Sequence, residues 1–252
     1  MEDIEVKVSM CILRRVSTTI CVIPARGGSK RLPRKNLLKY RGIPLVEIAC
    51  RTALEAQIFD EVIVSTEDSE IRAVIESVHG AQIHARPSYL ATDETRADEV
   101  VRSVIEIRGL IDESVVCCLL PTTPKISYLD LQSAYNQFLG VDSLSPLFGV
   151  ISSAQTPFRS FLVSDEYLLT PLFPDKLLQQ SQEYPPCVND AGQFYFATAK
   201  GWLENYSITA SPNARGYLLQ RLDVVDINTP DDWQLFLSLD QKSTPIDEEN
   251  MS

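Results

Sequence analysis

The sequence predicts a doubly wound α/β fold, in which helices cover both faces of a mainly parallel β-sheet. Short apolar segments rich in β-branched residues alternate with segments whose apolar residues recur at helical spacing, which is the pattern of βαβ units. Several apolar segments are continuous rather than alternating, as strands covered on both faces are. The 252 residues, 44% hydrophobic and 23% charged, favour one large globular domain and exclude a disordered chain or a coiled coil.

The first half of the chain contains the clearest alternation. Its predicted strands are short apolar runs, and proline ends the first and follows the last: 18–24 (TTICVIP), 61–66 (EVIVST), 82–84 (QIH) and 115–120 (VVCCLL). Each strand is followed by a segment with apolar residues on one helical face, which predicts helices over 44–57, 68–78, 95–107 and 127–138. Pro44 suits the first turn of the first helix, because an N–H at that position would have no helical partner.

The pattern weakens over 146–186, where proline is frequent and clear periodicity is lost. This stretch is therefore predicted to be an irregular excursion from the sheet. Regular structure resumes with a strand over 193–197 and another over 217–226. A final helix is predicted over 229–239, with Pro230 in its first turn.

These elements place a single domain over 18–240, with 1–17 and 241–252 as tails. No run approaches the roughly 18 apolar residues that span a bilayer, and the acidic N-terminal residues lack the positive flank of a signal peptide. These observations predict a cytoplasmic protein that does not bind a membrane. Six cysteines without C-x-x-C spacing, and only two histidines, favour reduced core thiols over a metal site or disulfides.

Charge is distributed unevenly along the chain. Lys and Arg total 23 against 34 Asp and Glu, a formal net charge of −11, which argues against a general nucleic-acid or membrane binder. The segment 24–41 is the exception, because it has no acidic residue and seven cations: Arg26, Lys30, Arg31, Arg34, Lys35, Lys39 and Arg41. An anionic ligand would have to bind at such a local basic patch.

The basic segment follows the C-terminal end of the first strand, where open α/β sheets bind ligands. Gly27 and Gly28 allow close approach of the backbone, Ser29 supplies a hydroxyl, and Arg26 and Lys35 can clamp phosphate oxygens. This is the outline of a triphosphate site, although the segment is neither a Walker loop nor G-x-G-x-x-G. A solvated basic loop is the alternative; a nucleic-acid patch is opposed by the net charge and by the lack of interleaved aromatic residues.

The segment 23–36, IPARGGSKRLPRKN, resembles the first motif of the cytidylyltransferases that activate sialic-type nine-carbon sugar acids. Further segments follow in that family's order: FDEVIVSTEDSEI (59–71), ARPSYLATDET (85–95), NDAGQFYF (189–196) and VVDINTPDDW (224–233). The resemblance covers about residues 18 to 240. SKRLPRKN and DAGQFY are most similar to the pseudaminic acid branch of the family.

The resemblance implies a Rossmann-like nucleotidyltransferase that transfers a cytidylyl group from CTP to a 2-keto sugar acid and releases pyrophosphate. It also implies Mg²⁺ as a cofactor and a homodimer in which 146–186 packs against the partner. Pseudaminic acid is the first candidate substrate; the alternatives are N-acetylneuraminic, legionaminic or another 2-keto acid, or a CTP-binding protein with impaired turnover. Leu120 stands before Pro121 where the sialic branch has a glutamine that contacts the sugar, so the sugar remains open.

The resemblance also assigns roles to residues by position. It implies that the nucleotide is bound by nine residues: Arg26, Gly27, Gly28, Ser29, Lys35, Asn36, Arg86, Asp93 and Thr95. Lys35 and Arg26 are the expected catalytic residues, because phosphoryl-type transfer depends on positioning and on stabilising charge at the non-bridging oxygens. Asp190 and Gln193 are expected to contact the sugar acid. From the residues alone, Arg86 is equally a surface arginine and Asp190 equally a turn cap.

The expected metal motif departs from the family's D-I-D-T and is Asp226-Ile227-Asn228-Thr229. Two carboxylates at i and i+2 of an extended segment point the same way and can share Mg²⁺. Asp226 and Asn228 are the expected ligands, but Asn228 offers an oxygen without a charge. The sequence therefore predicts weak Mg²⁺ binding before nucleotide arrives, with a helix-capping acid as the alternative role of Asp226.

Overall fold

The computed structural model describes residues 18–140, 145–153, 155–205, 207–220 and 224–243. Its strands are β1 (Thr19–Pro24), β2 (Lys39–Tyr40), β3 (Ile43–Pro44), β4 (Glu61–Thr66), β5 (Ala81–Ala85), β6 (Val115–Leu119), β7 (Leu147–Ser152), β8 (Phe161–Val163), β9 (Leu169–Pro171), β10 (Val188–Thr198) and β11 (Arg215–Leu218). Its helices are α1 (Leu45–Glu55), α2 (Ser69–Glu76), α3 (Ala97–Arg108), α4 (Tyr128–Leu139), α5 (Ala199–Glu204) and α6 (Pro230–Ser243).

One sheet organises the described residues, with the strand order β11, β7, β10, β6, β1, β4, β5. β1 lies between β6 and β4 and is parallel to both, β5 is parallel to β4, and β11 is parallel to β7. β10 runs antiparallel to its neighbours β6 and β7. The sheet is therefore mainly parallel, as predicted, and the carboxyl ends of β1, β4, β5 and β6 meet at one edge.

Both faces of the sheet are covered by helices, which confirms the doubly wound prediction. Cys21 and Ile23 of β1 are fully buried on the face that packs against α1, α2 and α4. Ile20 and Val22 alternate with them and are fully buried on the other face, against α3 and α5. A continuous apolar run is therefore required, because neither face of β1 meets water.

Side chains at the helix ends satisfy backbone N–H groups that have no helical partner. At the start of α2, the Asp68 carboxylate accepts hydrogen bonds from the backbone N–H groups of Glu70 and Ile71, each at 3.0 Å. At the start of α6, Thr229 and Asp232 cap reciprocally: Asp232 N–H donates to Thr229 Oγ1 at 3.2 Å, and Thr229 N–H donates to Asp232 Oδ2 at 2.8 Å. Both starts lie beside the basic segment, so the caps also fix the surroundings of that segment.

The predicted excursion at 146–186 needs a correction. Its first residues form β7, which lies inside the main sheet between β11 and β10. The departure from the sheet therefore begins after Ser153 and contains the separate β8–β9 hairpin and short 3₁₀ turns. Gly149 obscures the strand pattern; a Cβ there would be a tight contact, 3.0 Å from Leu219 Cδ1.

Two predicted boundaries near the C-terminus also differ from the structure. The strand predicted over 217–226 is β11, which begins at Arg215 and ends at Leu218; residues 224–229 form neither strand nor helix. β11 pairs with β7 at the edge of the sheet, so it lacks the burial on both sides that gives β1 a long apolar run. The predicted C-terminal tail begins three residues too early, because α6 continues to Ser243. The predicted N-terminal tail lies outside the described residues.

The C-terminal helix is fastened beside the basic segment by one carboxylate. Asp240 Oδ1 accepts hydrogen bonds from Lys125 Nζ at 2.6 Å and from Tyr40 Oη at 2.7 Å, and Arg41 Nη2 lies 3.3 Å away. Phe236, one turn earlier, is buried against the Tyr40 ring. These contacts hold α6 against the β2–β3 hairpin.

The Asp240 contacts make stability depend on pH. Hydrogen bonds from Lys125 and then Tyr40 lower the pKa of Asp240 to about 2. Because an unfolded aspartate titrates near pH 4, this stabilisation is present above about pH 4 and is lost as the pH falls towards 2. We expect Asp240→Asn to lower the free energy of unfolding by about 1–2 kcal/mol at pH 7, and by less below pH 4, in urea titrations. Asp231→Asn, an exposed change in the same helix, is the control; equal losses in both variants would contradict the assignment.

Among the described residues, no helix is both long enough and apolar enough to cross a bilayer. Cys21, Cys50, Cys117 and Cys118 are buried free thiols, as predicted, whereas Cys187 is half-buried.

Candidate active site

Three adjoining cavities lie at the sheet edge where β1, β4, β5 and β6 end. The first, the basic cavity, has a volume of about 410 Å³ and is lined by Arg26, Ser29, Lys30, Arg31, Lys35, Asn36 and Asp93. Four of these side chains are cations and one is a carboxylate. A cavity of this size and charge fits a polyphosphate better than any apolar ligand.

The second, the middle cavity, has a volume of about 130 Å³ and shares Arg26, Lys35 and Asn36 with the basic cavity. Arg86 and Thr95 also line it. The third, the distal cavity, has a volume of about 180 Å³ and adjoins the middle cavity through Arg96, Ala97 and Leu120. The three cavities are therefore neighbours in a row from the basic segment to β10.

Lys35 lies at the junction of the basic and middle cavities. Its ammonium donates a hydrogen bond to Asn228 Oδ1 at 2.9 Å. Burial lowers the pKa of Lys35, and the charge of Asp226 opposes that shift. The residue lies in the 3₁₀ turn Lys35–Leu37, directly after Arg34, which has the left-handed φ of 55°.

Asp226 and Asn228, the expected metal ligands, lie directly behind Lys35. Asp226 Oδ1 accepts a hydrogen bond from the Thr122 hydroxyl at 3.2 Å, and Asp226 Oδ2 accepts one from Asn228 Nδ2 at 2.6 Å. Burial raises the pKa of Asp226, and the contacts with Asn228 and Lys35 oppose that shift. Asp226 is therefore a partly desolvated carboxylate beside two polar donors, Thr122 and Asn228, and one cation, Lys35.

No group of three or more His, Cys, Asp or Glu side chains with metal-binding geometry occurs in the part of the chain that the structure describes. Asp226 offers a carboxylate behind the basic cavity, whereas the nearby Asp232 carboxylate accepts hydrogen bonds from the backbone N–H groups of Asn228 and Thr229 in the cap of α6. The oxygen of Asn228 is turned towards Lys35 and not towards Asp226. Asp226 therefore fits a single-carboxylate metal contact, and Asn228 in this orientation does not fit as the second ligand.

Asn36 lines both the basic and the middle cavity, and it also braces the basic segment. Its Nδ2 donates to the backbone oxygen of Arg26 at 2.9 Å, which closes the basic segment on itself. Its Oδ1 is buried and has no partner among the described residues. Nδ2 carries a second N–H that can donate to a phosphate oxygen, so the expected nucleotide contact of Asn36 stays a prediction beside its role in shaping the loop.

Gly27 is required by a close contact within the protein. A Cβ at this position would overlap the carboxylate of Asp68. The Gly27 N–H donates to Glu67 Oε1 at 2.8 Å. Nothing lies within 4 Å of a Cβ built on Gly28, so the structure places no steric demand there.

Asp93 forms salt bridges with two of the cations that line the basic cavity. Its carboxylate lies 2.6 Å from Arg26 Nη1 and 2.5 Å from Lys30 Nζ. Arg26 also donates to the backbone oxygen of Thr92 at 2.8 Å, and the hydroxyls of Thr92 and Thr95 lie 2.9 Å apart. The loop 92–95 is thus held to the basic segment by Arg26 and Lys30. A bound polyphosphate would compete with Asp93 for the same two cations.

This competition predicts that Asp93→Asn binds inorganic tripolyphosphate more tightly, by up to about fivefold at low ionic strength. The neutral amide frees Arg26 and Lys30 without changing the size of the side chain. Isothermal titration calorimetry measures the change, and Glu94→Gln removes the same formal charge one residue away as the control. Weaker binding by Asp93→Asn would show instead that the carboxylate supports the ligand.

Arg86 is not a surface residue. It is 7% exposed, and its guanidinium donates to the backbone oxygen of Ser65 at 2.7 Å and to Ser65 Oγ at 3.3 Å. Burial lowers the pKa of Arg86 to about 10, and Glu67, 4.0 Å away, opposes that shift. Arg86 therefore forms the floor of the middle cavity as a fixed cation.

The distal cavity is built around a bulge in β10. Gly192 has the left-handed φ of 61°, and a Cβ there would lie 3.0 Å from Asp226 Oδ2. The bulge lets Tyr195 Oη donate to both carboxylate oxygens of Asp190, at 3.0 and 3.1 Å. Trp202 and Ile208 supply apolar wall. The cavity therefore combines a polar pair with an apolar wall.

The structure brings together most of the sequence-predicted site residues but not all. Asp190 lines the distal cavity, whereas Gln193 is 1% exposed and donates to the backbone oxygen of Ala191 at 3.0 Å. Arg34 and Arg41 of the basic segment face away from the cavities. They pair with Asp68 at 2.6 Å and Asp240 at 3.3 Å, respectively.

Sequence reasoning missed four residues that line or support the cavities: Thr122, Tyr195, Arg96 and Trp202. Tyr195 fitted the predicted strand over 193–197, and Trp202 lies in α5, a helix that was not predicted. Thr122 lies in the PTTP turn after β6. Its position at the carboxyl end of a parallel strand could have indicated a site residue, because open α/β sheets bind ligands there.

A protein-family model described as cytidylyltransferase matches residues 20–190 of the chain. The chain is 34% identical to pseudaminic acid cytidylyltransferase from Campylobacter jejuni, over 84% of this chain and 92% of that protein. It is 31% identical to CMP-N,N'-diacetyllegionaminic acid synthase from Legionella pneumophila, over 86% of this chain and 93% of that protein.

Among solved structures, a CMP:2-keto-3-deoxy-manno-octonic acid synthetase complexed with CTP matches with a TM-score of 0.67. The match covers 90% of this chain and 99% of the other at 18% identity. A 4-diphosphocytidyl-2C-methyl-D-erythritol synthase matches with a TM-score of 0.64 at 11% identity, over 88% of this chain and 97% of the other. At these identities the likeness shows a common fold.

Proposed function

Because the chain belongs to the cytidylyltransferase family, we propose that it transfers a cytidylyl group from CTP to a nonulosonic acid, a nine-carbon 2-keto sugar acid. Pseudaminic acid is the first candidate, and legionaminic or N-acetylneuraminic acid are the alternatives, since relatives named for these acids match most of the chain. The observation that carries the proposal is the row of three neighbouring cavities, from a cationic one to one with mixed polar and apolar walls.

The basic cavity is the proposed site of the triphosphate. Arg26, Lys30, Arg31 and Lys35 line it, in a protein whose formal net charge is −11. The nucleoside then extends into the middle cavity, where Arg86 is a buried cation and Thr95 supplies a hydroxyl. This arrangement leaves the α-phosphate near Lys35, which lines both cavities.

The distal cavity is the proposed site of the sugar acid. The Asp190–Tyr195 pair can bind hydroxyl or amide groups, and Trp202 and Ile208 can contact methyl groups. Burial and the neighbouring Asp190 raise the pKa of Tyr195, so its hydroxyl stays protonated and acts as a donor near neutral pH. An acyl-substituted sugar acid presents this combination of groups.

The reaction follows from this placement. The anomeric hydroxyl oxygen of the sugar acid attacks the α-phosphorus, a new oxygen–phosphorus bond forms, and the bond from the α-phosphorus to the bridging oxygen breaks. Pyrophosphate leaves with that bonding pair, and the hydroxyl proton is released to solvent. Lys35 and Arg26 hold the phosphates in place and stabilise charge on the non-bridging oxygens.

Mg²⁺ is the proposed cofactor, with Asp226 as its protein ligand. Asp226 is a partly desolvated carboxylate behind the basic cavity, and carboxylate and phosphate oxygens are the ligands that Mg²⁺ prefers. When bound, the ion would neutralise charge on the phosphates. Removing the ion with EDTA is therefore expected to abolish turnover.

A substrate panel tests the function. The enzyme is incubated with Mg²⁺, one of four nucleoside triphosphates and one sugar acid, and pyrophosphate release is followed. We expect release only with CTP and a nonulosonic acid together, fastest with pseudaminic acid. Release that does not depend on the acid, or CTP binding without release for every acid, would reject the proposal; the second result would favour a CTP-binding protein.

The proposed assembly is a homodimer, formed through the segment that leaves the sheet. The β8–β9 hairpin exposes Leu162 (59%), Val163 (63%), Leu168 (65%) and Leu169 (63%). Adjacent exposed apolar residues of this kind are typical of interfaces.

Light scattering of the wild-type protein at micromolar concentration is expected to give about 56 kDa, twice the 28.2 kDa of one chain. Val163 and Leu169 are cross-strand partners, so Val163→Glu with Leu169→Glu should lower the mass towards that of a monomer. Thr170→Glu adds one charge to the same hairpin as the control. A wild-type mass of 28.2 kDa would contradict the proposed homodimer.

A further inference from the structure

The carboxamide of Asn228 bridges the cations of the basic cavity and the half-buried carboxylate of Asp226 behind it. Asn228 Oδ1 accepts hydrogen bonds from Lys35 Nζ at 2.9 Å and from Arg31 Nη2 at 3.3 Å. Asn228 Nδ2 donates to Asp226 Oδ2 at 2.6 Å. Both ends of the amide are therefore used.

The orientation of this amide is set by the chemistry of its partners. Lys35 and Arg31 can only donate, and an ionised Asp226 can only accept. Reversing the amide would place its NH₂ group against two cations and its oxygen against a carboxylate. An Mg²⁺ ion shared by Asp226 and Asn228 would require this reversal, so the structure disagrees with Asn228 as a second metal ligand.

The backbone around Asn228 is fixed from both sides. The Asn228 N–H donates to Asp232 Oδ2 at 3.0 Å, within the cap of α6. The preceding residue, Ile227, is fully buried, and its N–H donates to the backbone oxygen of Thr122 at 3.3 Å. The amide is consequently presented by rigid structure, whereas the lysine that it binds has a long and flexible side chain.

We propose that Asn228 is a positioning residue, whose carboxamide holds the ammonium of Lys35 at the basic cavity and links it to Asp226. The proposal rests on the proposed function for the identity of the ligand, but not for the contacts. One of the three ammonium N–H groups is bound to Asn228, which leaves two for phosphate oxygens. A positioned lysine loses less rotamer freedom when the triphosphate binds.

A binding measurement without metal distinguishes a positioning role of Asn228 from a role as a metal ligand. In EDTA, we expect Asn228→Ala to weaken binding of CTP by about five- to tenfold in calorimetry, and to weaken inorganic tripolyphosphate by a similar factor. In turnover assays, kcat should fall at saturating Mg²⁺, while the Mg²⁺ concentration for half-maximal rate stays that of the wild type. Asn213→Ala, at an exposed turn, is the matched control.

A double-mutant cycle shows whether Asn228 acts through Lys35. In a Lys35→Ala background, Asn228→Ala is expected to have little further effect on metal-free binding, because the lysine through which it is proposed to act is absent and its contact with Arg31 is the longer one, at 3.3 Å. Asn228→Ser replaces the alanine variant if thermal melting shows that the latter does not fold.

Unchanged metal-free binding combined with a raised Mg²⁺ requirement would overturn the proposal and make Asn228 a metal ligand. Full additivity with Lys35→Ala would also overturn it. If the wild-type protein binds tripolyphosphate but not CTP, the proposed function fails, and the role of Asn228 is still decided by the tripolyphosphate series.

Discussion

Lys35→Ala is expected to lower kcat by about 10²–10³-fold, the usual loss when one preorganised donor to a developing anionic centre is removed. Lys35 lines both the basic and the middle cavity, so it lies where the α-phosphate and the leaving pyrophosphate would meet. Single-turnover pyrophosphate release at saturating CTP measures the effect, because it separates the chemical step from nucleotide binding.

Lys39→Ala provides the matched control for Lys35. Lys39 belongs to the same basic segment, but it is exposed on β2 and lines none of the three cavities. Its turnover should match that of the wild type. Wild-type turnover in Lys35→Ala itself would reject the catalytic role, and a lowered melting temperature would point to a structural one.

Arg26→Ala is expected to lower kcat/KM for CTP by about 10²–10³-fold, with the loss divided between KM and kcat. Two effects combine in this variant. The phosphates lose a guanidinium, and the loop 92–95 loses its hydrogen bonds to Arg26 at Thr92 and Asp93. Steady-state kinetics over a range of CTP concentrations measures both parameters.

Arg26→Lys separates the two effects of the alanine variant. A lysine keeps the charge but cannot bind in the planar, two-pronged manner of a guanidinium. We expect it to recover KM more than kcat. Equal kinetics in Arg26→Ala and the wild type would contradict the assignment of the basic cavity to the triphosphate.

The sequence predicted the strands that are buried on both faces most closely. The strand predicted over 61–66 is β4, residue for residue, and the one over 18–24 is β1 with one residue fewer. Each has a continuous apolar run because both of its faces meet helices. β7 was missed because Gly149 interrupts its pattern; the close packing of Leu219 against that glycine involves a residue distant in sequence.

The candidate site was predictable in type but not in arrangement. An acid-free run of seven cations after the first strand indicated an anion site from local composition alone. The sequence could not show that Arg26 and Lys30 pair with Asp93, or that Lys35 meets Asn228, 193 positions away. Those contacts depend on how the sheet brings the ends of separate strands to one edge.

The distal cavity was the least predictable part of the site. Asp190 was expected there, but its partner Tyr195 was not, because strict alternation along β10 would separate the two side chains. The left-handed Gly192 shifts the register between them and joins them in one hydrogen-bonded pair. A bulge of this kind cannot be read from strand periodicity.

Phosphorus NMR of a reaction mixture tests the central claim most directly. The mixture contains the protein, Mg²⁺, CTP and pseudaminic acid, with a second sample that lacks the acid. We expect equal amounts of pyrophosphate and a new CMP phosphodiester in the first sample, and unchanged CTP in the second. Conversion of CTP to CMP and pyrophosphate in both samples, or unchanged CTP with every nonulosonic acid tried, would contradict cytidylyl transfer to a sugar acid.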